Sequence, residues 1–302
     1  MSKSPQKQSE KRWRKDTLKA AIHMELREHK SSFIVFYILR ALVVATLVRQ
    51  FFLGNYNGVF LCLMTIGLLY IPSWLQVQLR IELPPALEII ILCFIFAAEI
   101  LGEINAFYIA IPMWDTILHT LNGFLCAAVG FALVVILSDD ERLTFDLSPF
   151  FIALMAFCFS MTIGVLWEFF EFGMDIFFHT DMQKDTVIHA LYTVTLDPSN
   201  SNKVITVKDI TDTVVNGESL GLNGYLDIGI IDTMKDLFVN FIGAVVFSVL
   251  GFFYARSKGT RQTGTQSLVP RKKHADRDFL RHIRESAPLD EHTPTNDNQS
   301  SR

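Results

Sequence analysis

The chain has 302 residues, half of them hydrophobic and 26 of them Phe, with a formal net charge of −4. Only 19% of the residues are charged, and these gather in the two ends and one long stretch, which excludes an ordinary soluble domain of this length. Between them lie apolar runs of about 20 residues, the length that crosses a bilayer. The fold class they define is all-α, a polytopic helical membrane bundle of about six transmembrane helices.

Residues 1–32 form a basic N-terminal segment, with nine Lys/Arg against four Asp/Glu in the first 30 positions. Trp13, Leu18, Ala21, Ile22 and Met24 mark a weak apolar face, expected either of a helix lying on the membrane or of a solvated tail. No cleavable leader is visible, so the first span is expected to direct insertion. The transmembrane domain covers 33–256. Its first span, about 33–53, carries Arg40 and Arg49, which nine positions of helix place on opposite faces. Arg40 is expected to snorkel to the cytoplasmic side, and Arg49 to meet an acidic partner near the outer end.

The second span covers about 59–75 and the third about 86–107, with Pro72, Pro84 and Pro85 bracketing the connection. The fourth runs over about 113–137. After a hydrophilic link the fifth runs over 149–178, and the sixth covers about 233–256. Cys62, Cys93, Cys126 and Cys158 lie singly inside apolar runs and read as small buried hydrophobes. No nucleotide loop, nucleophile elbow or internal repeat is present.

Between the fifth and sixth spans, residues 179–232 carry eight Asp/Glu and three Lys/Arg. "NKVITVKDI" alternates β-branched and polar residues and suggests a short hairpin, and "NGESLGLNGY" is turn-like. Residues 257–302 read as a basic, largely disordered tail. Basic ends and an acidic loop place both termini in the cytoplasm and the loop outside, by the excess of Lys and Arg on cytoplasmic segments. Anionic lipid headgroups account for the basic ends, and no nucleic acid is needed to explain them.

The residues that can carry chemistry sit at span ends. The third span has Glu99 and Glu103. The fourth opens with Asp115, His119 and Asn122. The fifth closes with Glu168, Glu171 and Asp175, and the sixth opens with Asp232, Asp236 and Asn240. Each set falls within a narrow sector of its helix, and the topology puts all four at the outer face. So many carboxylates cannot all ionise together. Some are protonated, or Arg49, Lys235 and His119 offset them, or a divalent metal (Mg²⁺, Mn²⁺, Ca²⁺ or Zn²⁺) is bound.

Asp115 and His119, four residues apart, can reach one ion, with Glu168, Glu171, Asp232 and Asp236 as further ligands. Simpler roles compete. Asp115 and Asp232 also favour a helix N-terminus. Asn122, Gly123, Asn240 and Gly243 also serve close helix packing, and Trp114 and Trp167 fit an interfacial aromatic belt.

The order W-D-x-x-x-H, W-E-x-x-E-x-x-x-D and D-x-x-x-x-D-T-x-x-D-x-x-x-N-x-x-G-A resembles the YjdF-like family of bacterial membrane proteins. It is carried by Trp114, Asp115, His119, Trp167, Glu168, Glu171, Asp175, Asp227, Asp232, Thr233, Asp236, Asn240, Gly243 and Ala244. A more distant similarity is to the VanZ-like proteins, in which the mid-chain pair is glutamate then glutamine, whereas this chain has Glu168 and Glu171. The resemblance implies a helical membrane fold with a shared polar pocket and names no reaction.

Three functional readings follow. One is a metal-dependent enzyme at the outer face of a bacterial cytoplasmic membrane, acting on a lipid or cell-envelope precursor headgroup, with Glu168 and Glu171 as its catalytic carboxylates. The second is a proton- or cation-coupled transporter, which the apolar inner halves of the spans disfavour. The third is a non-catalytic scaffold.

Overall fold

The computed structural model describes residues 5–138, 147–257, 270–273 and 277–285. The protein divides into two compact units, residues 1–96 with 270–302, and residues 97–269.

In the first unit, helix α1 (Pro5–Glu28) is separated from α2 (Lys30–Phe52) by one extended residue, His29. A tight turn follows. Gly54 adopts a positive φ, and the Asn55 side chain caps α3 (Tyr56–Leu68) by accepting from Gly58 N at 3.1 Å. Helix α3 is interrupted at Leu69–Tyr70. Pro72 sits in the first turn of α4 (Ile71–Leu79), where a missing N–H costs nothing. Strand β1 (Ile81–Glu82) leads to α5 (Pro85–Phe96). Arg40 donates to the Tyr70 hydroxyl at 2.5 Å and lies over the Tyr70 ring, which gives its charge a partner within the protein. Arg49 is exposed.

The expected disordered tail contains ordered structure. Arg271–Lys272 form β8, antiparallel to β1, and Phe279–Glu285 form helix α10. Leu280 packs with Ala21 and Val77, and Leu18, Ile22, Phe279 and Ile283 surround them. Leu18, Ala21 and Ile22 on the apolar side of α1 are therefore covered by protein. Trp13 and Met24, expected on that side, are exposed. Residues 258–269 and 286–302 lie outside the described residues.

The second unit opens with a π-helical segment, Ala97–Ile104, which continues α5. The short α6 (Phe107–Ala110) follows, and then the long helices α7 (Trp114–Ser138), α8 (Pro149–Phe178) and α9 (Ile230–Arg256). Helices α7 and α9 run parallel, since His119 approaches Asp236, Asn122 meets Asn240 and Phe131 meets Gly251. Helix α8 runs antiparallel to them. Its Ser160 donates to Gly123 O at 2.7 Å, and Gly164 lies against Asn240. A Cβ on Gly243 would fall 1.9 Å from Thr120 O, and one on Gly123 would fall 2.1 Å from Asn240 O. Glycine at both positions lets the two backbones touch.

Five helical segments among the described residues are long and apolar enough to cross a membrane: Lys30–Phe52, Tyr56–Leu79, Trp114–Val135, Pro149–Phe178 and Ile230–Arg256. The remaining predicted span, 86–107, is composite. Twelve α-helical residues pass into eight π-helical ones, so no single regular helix covers it.

The segment between α8 and α9 is built from three two-stranded antiparallel pairs. These join Val187–Ile188 (β2) with Tyr225–Leu226 (β7), Leu191–Thr193 (β3) with Ile205–Val207 (β4), and Val214–Val215 (β5) with Glu218–Ser219 (β6). The alternating stretch "NKVITVKDI" supplies one strand of a pair rather than a whole hairpin. The tight hairpin is at Asn216-Gly217, where both residues have positive φ.

Pairs this short are marginal in water, and aspartates hold them in place. Asp197 accepts from the backbone N–H groups of Ser199, Ser201 and Lys203. Asp227 accepts from Thr186 N at 2.6 Å, Gly229 N at 3.2 Å and Ile231 N at 2.9 Å, which ties β2 to the start of α9. Burial alone would raise the Asp227 carboxyl, but these amides outweigh it and hold it below the usual carboxylate range.

Candidate metal centre

The parallel α7 and α9 bring their first turns side by side, and the antiparallel α8 brings its last turns to the same end. Asp115, His119 and Asp236 each offer a ligand atom, and all three atoms lie within 4.8 Å of one another. His119 Nε2 is 3.4 Å from Asp115 Oδ1 and 3.9 Å from Asp236 Oδ2. Its other ring nitrogen, Nδ1, is 4.0 Å from Glu168 Oε1. One imidazole thus faces two aspartates on one side and a glutamate on the other. Glu168 is 5% exposed and Asp236 1% exposed. Glu168 Oε2 and Asp236 Oδ1 are buried without a hydrogen-bond partner. Leaving such atoms unpaired is costly, and a cation would satisfy them.

The other predicted residues divide into neighbours and supports. Glu171 is buried one turn above Glu168, and its Oε1 accepts from the Trp167 indole N–H at 2.8 Å. Asp232 lies in the first turn of α9, and its Oδ2 accepts from Lys184 N at 2.9 Å. Beneath the carboxylates Asn122 donates to Asn240 Oδ1 at 3.3 Å and forms a polar floor. Glu99 and Glu103 share the π-helical segment, with Glu103 exposed.

Asp175 does not join the cluster. Its oxygens accept from Thr180 Oγ1 at 2.8 Å, Met182 N at 2.7 Å and Gln183 N at 2.9 Å, so it anchors the segment that leaves α8.

The structure adds residues that sequence reasoning missed. Gln183 Nε2 donates to Thr233 Oγ1 at 2.6 Å, fixing that segment across the start of α9. Trp167 was read only as part of an aromatic belt, yet its indole N–H holds Glu171. The i, i+4 spacing of Trp167 and Glu171 was the available signal. No sequence signal pointed to Gln183 or to the Lys184 amide. The Tyr108 ring fills the space a side chain on Gly102 would need, with a Cβ there 2.3 Å from the ring.

Apolar helices of spanning length, folded so that buried carboxylates and an imidazole meet inside a three-helix bundle, define a multi-pass helical membrane protein. Over residues 33–257 the chain matches the family described as "Predicted membrane protein (DUF2238)", and it belongs to that family. A protein of Thermotoga maritima named "Uncharacterized protein" is 29% identical over 143 residues, which is 47% of this chain and 65% of that relative's length. No solved structure matches the chain. The family match takes in all of the carboxylates, His119 and both asparagines, and leaves out α1 and α10.

Proposed function

We propose that the second unit is a metal-dependent membrane enzyme acting on a lipid or cell-envelope precursor headgroup. The reading rests on one observation: Asp236 Oδ1 is buried and unpaired where Asp236 and Asp115 meet His119 Nε2. Two ligands of one ion, each at about 2.0–2.2 Å, stand about 3 Å apart. The 3.4 and 3.9 Å separations at His119 Nε2 approach that spacing, so small side-chain movements would close them on an ion.

Asp115, Asp236 and His119 Nε2 are the ligands in this reading. Glu168, on the Nδ1 side, fixes the tautomer in the way carboxylates support metal-bound histidines. Glu171 would serve as the base that takes a proton from attacking water, and a divalent ion held by these ligands would supply a lowered water pKa and a charge to offset an anionic headgroup. Without the ion the acidic cluster would repel such a substrate.

The donor set of one imidazole and several carboxylates suits Mn²⁺ or Zn²⁺ better than Ca²⁺, which takes oxygen ligands. We place the site at the extracytoplasmic face of a bacterial cytoplasmic membrane, with both termini inside, and read the YjdF-like resemblance as membership of the same family. The exposed Lys15, Lys19, His23, Arg27 and Lys30 support contact between the N-terminal segment and anionic lipid headgroups.

A second reading has its own observation. A protonated His119 lies within ion-pair distance of Asp115, Glu168 and Asp236, and could satisfy them with no metal, as a proton relay. Metal analysis of protein purified without chelator separates the two. A stoichiometric divalent ion lost in His119→Ala supports the enzyme. A metal-free protein that does not bind added Mn²⁺ or Zn²⁺ supports the relay.

A further inference from the structure

We infer that the first unit holds a separate buried site, centred on Glu88, that takes a small monovalent cation, H⁺ or Na⁺. Glu88 is 3% exposed near the start of α5. Gln76, on α4, donates from Nε2 to Glu88 Oε1 at 3.3 Å, and its own Oε1 accepts from Leu83 N at 2.8 Å, which fixes the amide's orientation. Glu25 and Glu28 of α1 face Glu88, and so does His29 at the start of α2. Lys273, in the segment between β8 and α10, contacts Glu25 and stands 3.5 Å from Glu28 Oε2. Arg277 reaches Glu28 from the exposed side at 3.5 Å and is shared with Glu82 at 2.8 Å.

Charge balance favours a ligand. Among the described residues three carboxylates are served by one buried ammonium and one shared, half-exposed guanidinium, neither of which contacts Glu88, and His29 is the other basic group beside it. A surplus negative charge away from water is strongly disfavoured unless a proton or cation cancels it.

A second observation marks the place. Ser32 is 2% exposed with its Oγ turned to Glu88, its approach to that carboxylate falling short of full hydrogen-bond geometry. Ser73, one turn before Gln76 on α4, is buried with its Oγ unpartnered. A buried carboxylate beside a hydroxyl is an oxygen setting that hard cations take. A single positive charge suffices, because Gln76 already donates to one Glu88 oxygen.

The behaviour of Glu25 agrees with a surplus of negative charge. Burial pushes its carboxyl up to about 7, with Lys273 opposing and Glu28 and Glu88 adding to the rise. A carboxyl raised in the fold stabilises while protonated. Its contribution is complete below the ordinary carboxylate range and is lost as pH rises through about 7. On the alkaline side a second cation has to supply what the proton no longer does.

The test is thermal unfolding of the full-length protein in detergent, with EDTA present so that the His119 centre contributes nothing. Melting is compared in sodium chloride and in choline chloride at equal ionic strength, on either side of neutrality. Sodium is expected to raise the Tm by a few degrees on the alkaline side and by less on the acid side, where protons fill the site. Glu88→Gln should abolish the sodium response and melt no lower than the wild type in alkaline choline.

A pH response without a sodium response, reduced in Glu88→Gln to the part that Glu25 supplies, also supports the site and makes H⁺ its sole ligand. If Glu88→Gln fails to fold, Ser32→Ala should show a weakened sodium response. A Tm indifferent to both pH and sodium would overturn the inference, as would a sodium response that survives Glu88→Gln or a pH response that Glu88→Gln leaves unchanged.

Discussion

Gly123 and Gly243 fix how closely α7 and α9 approach, and everything above them in the bundle depends on that spacing. An added methyl at Gly243 would press on the Thr120 carbonyl and force the helices apart. Gly243→Ala is therefore expected to cost about 1–3 kcal/mol, the usual range for overpacking, and to lower the Tm measured in detergent. These glycines, with Asn122 and Asn240, were legible as packing residues because small and amide side chains on facing stripes have few other uses inside a membrane.

Trp167 was less legible, since an aromatic belt explains any tryptophan near a span end. Its hydrogen bond to Glu171 sets up a second expectation. If Glu171 reaches the ion as well as serving as the base, Trp167→Phe should weaken Mn²⁺ affinity by about 10–100-fold, the usual effect of removing a support to the ligand sphere. Melting of the metal-free protein should stay near that of the wild type. Unchanged affinity would remove Trp167 from the site. For Asp175 the helical sector shows which way the side chain points and not what the following loop returns to it. Here three groups of that loop occupy the carboxylate.

Helices with long apolar runs could be read directly, because bilayer thickness imposes their length. Two elements could not. The third span hides a change from α to π hydrogen bonding that composition does not report, although π-helical turns are frequent at functional sites. The segment holding β8 and α10 is polar enough to pass for a tail, and its stability comes from partners far away in sequence. Leu280 needs Ala21 and Val77, Lys273 needs Glu25 and Glu28, and Asp278 meets Arg80 at 3.6 Å. Truncation after residue 269 would unpair β1, expose this apolar cluster and leave the buried Glu25 and the half-buried Glu28 without their lysine. The truncated protein should insert but melt lower than the full chain, with α1 more open to protease. Equal melting and equal protection would show that the segment contributes nothing.

For the whole molecule, segregated charge predicts orientation and the helices carry it to the site. Parallel α7 and α9 with antiparallel α8 put Asp115, His119, Glu168 and Asp236 at one end of the second unit. A reporter that works only outside the cytoplasm should be active when inserted near Ser199 and silent when fused at Ser267. The opposite pattern would move the cluster to the inner face. How four groups from three helices come to share one place was readable from periodicity and topology. Whether they share one ion is a matter of ångströms that periodicity cannot reach. That question is answered most directly by the metal content of the purified protein, its His119→Ala and Asp236→Asn variants, and the double variant. The proposal predicts about one divalent ion in the native protein, and its loss in each single variant. The double variant should then lose no further melting stability beyond the singles, because the ion has already gone. A metal-free native protein, with both single variants melting higher through relief of like-charge repulsion, would contradict it.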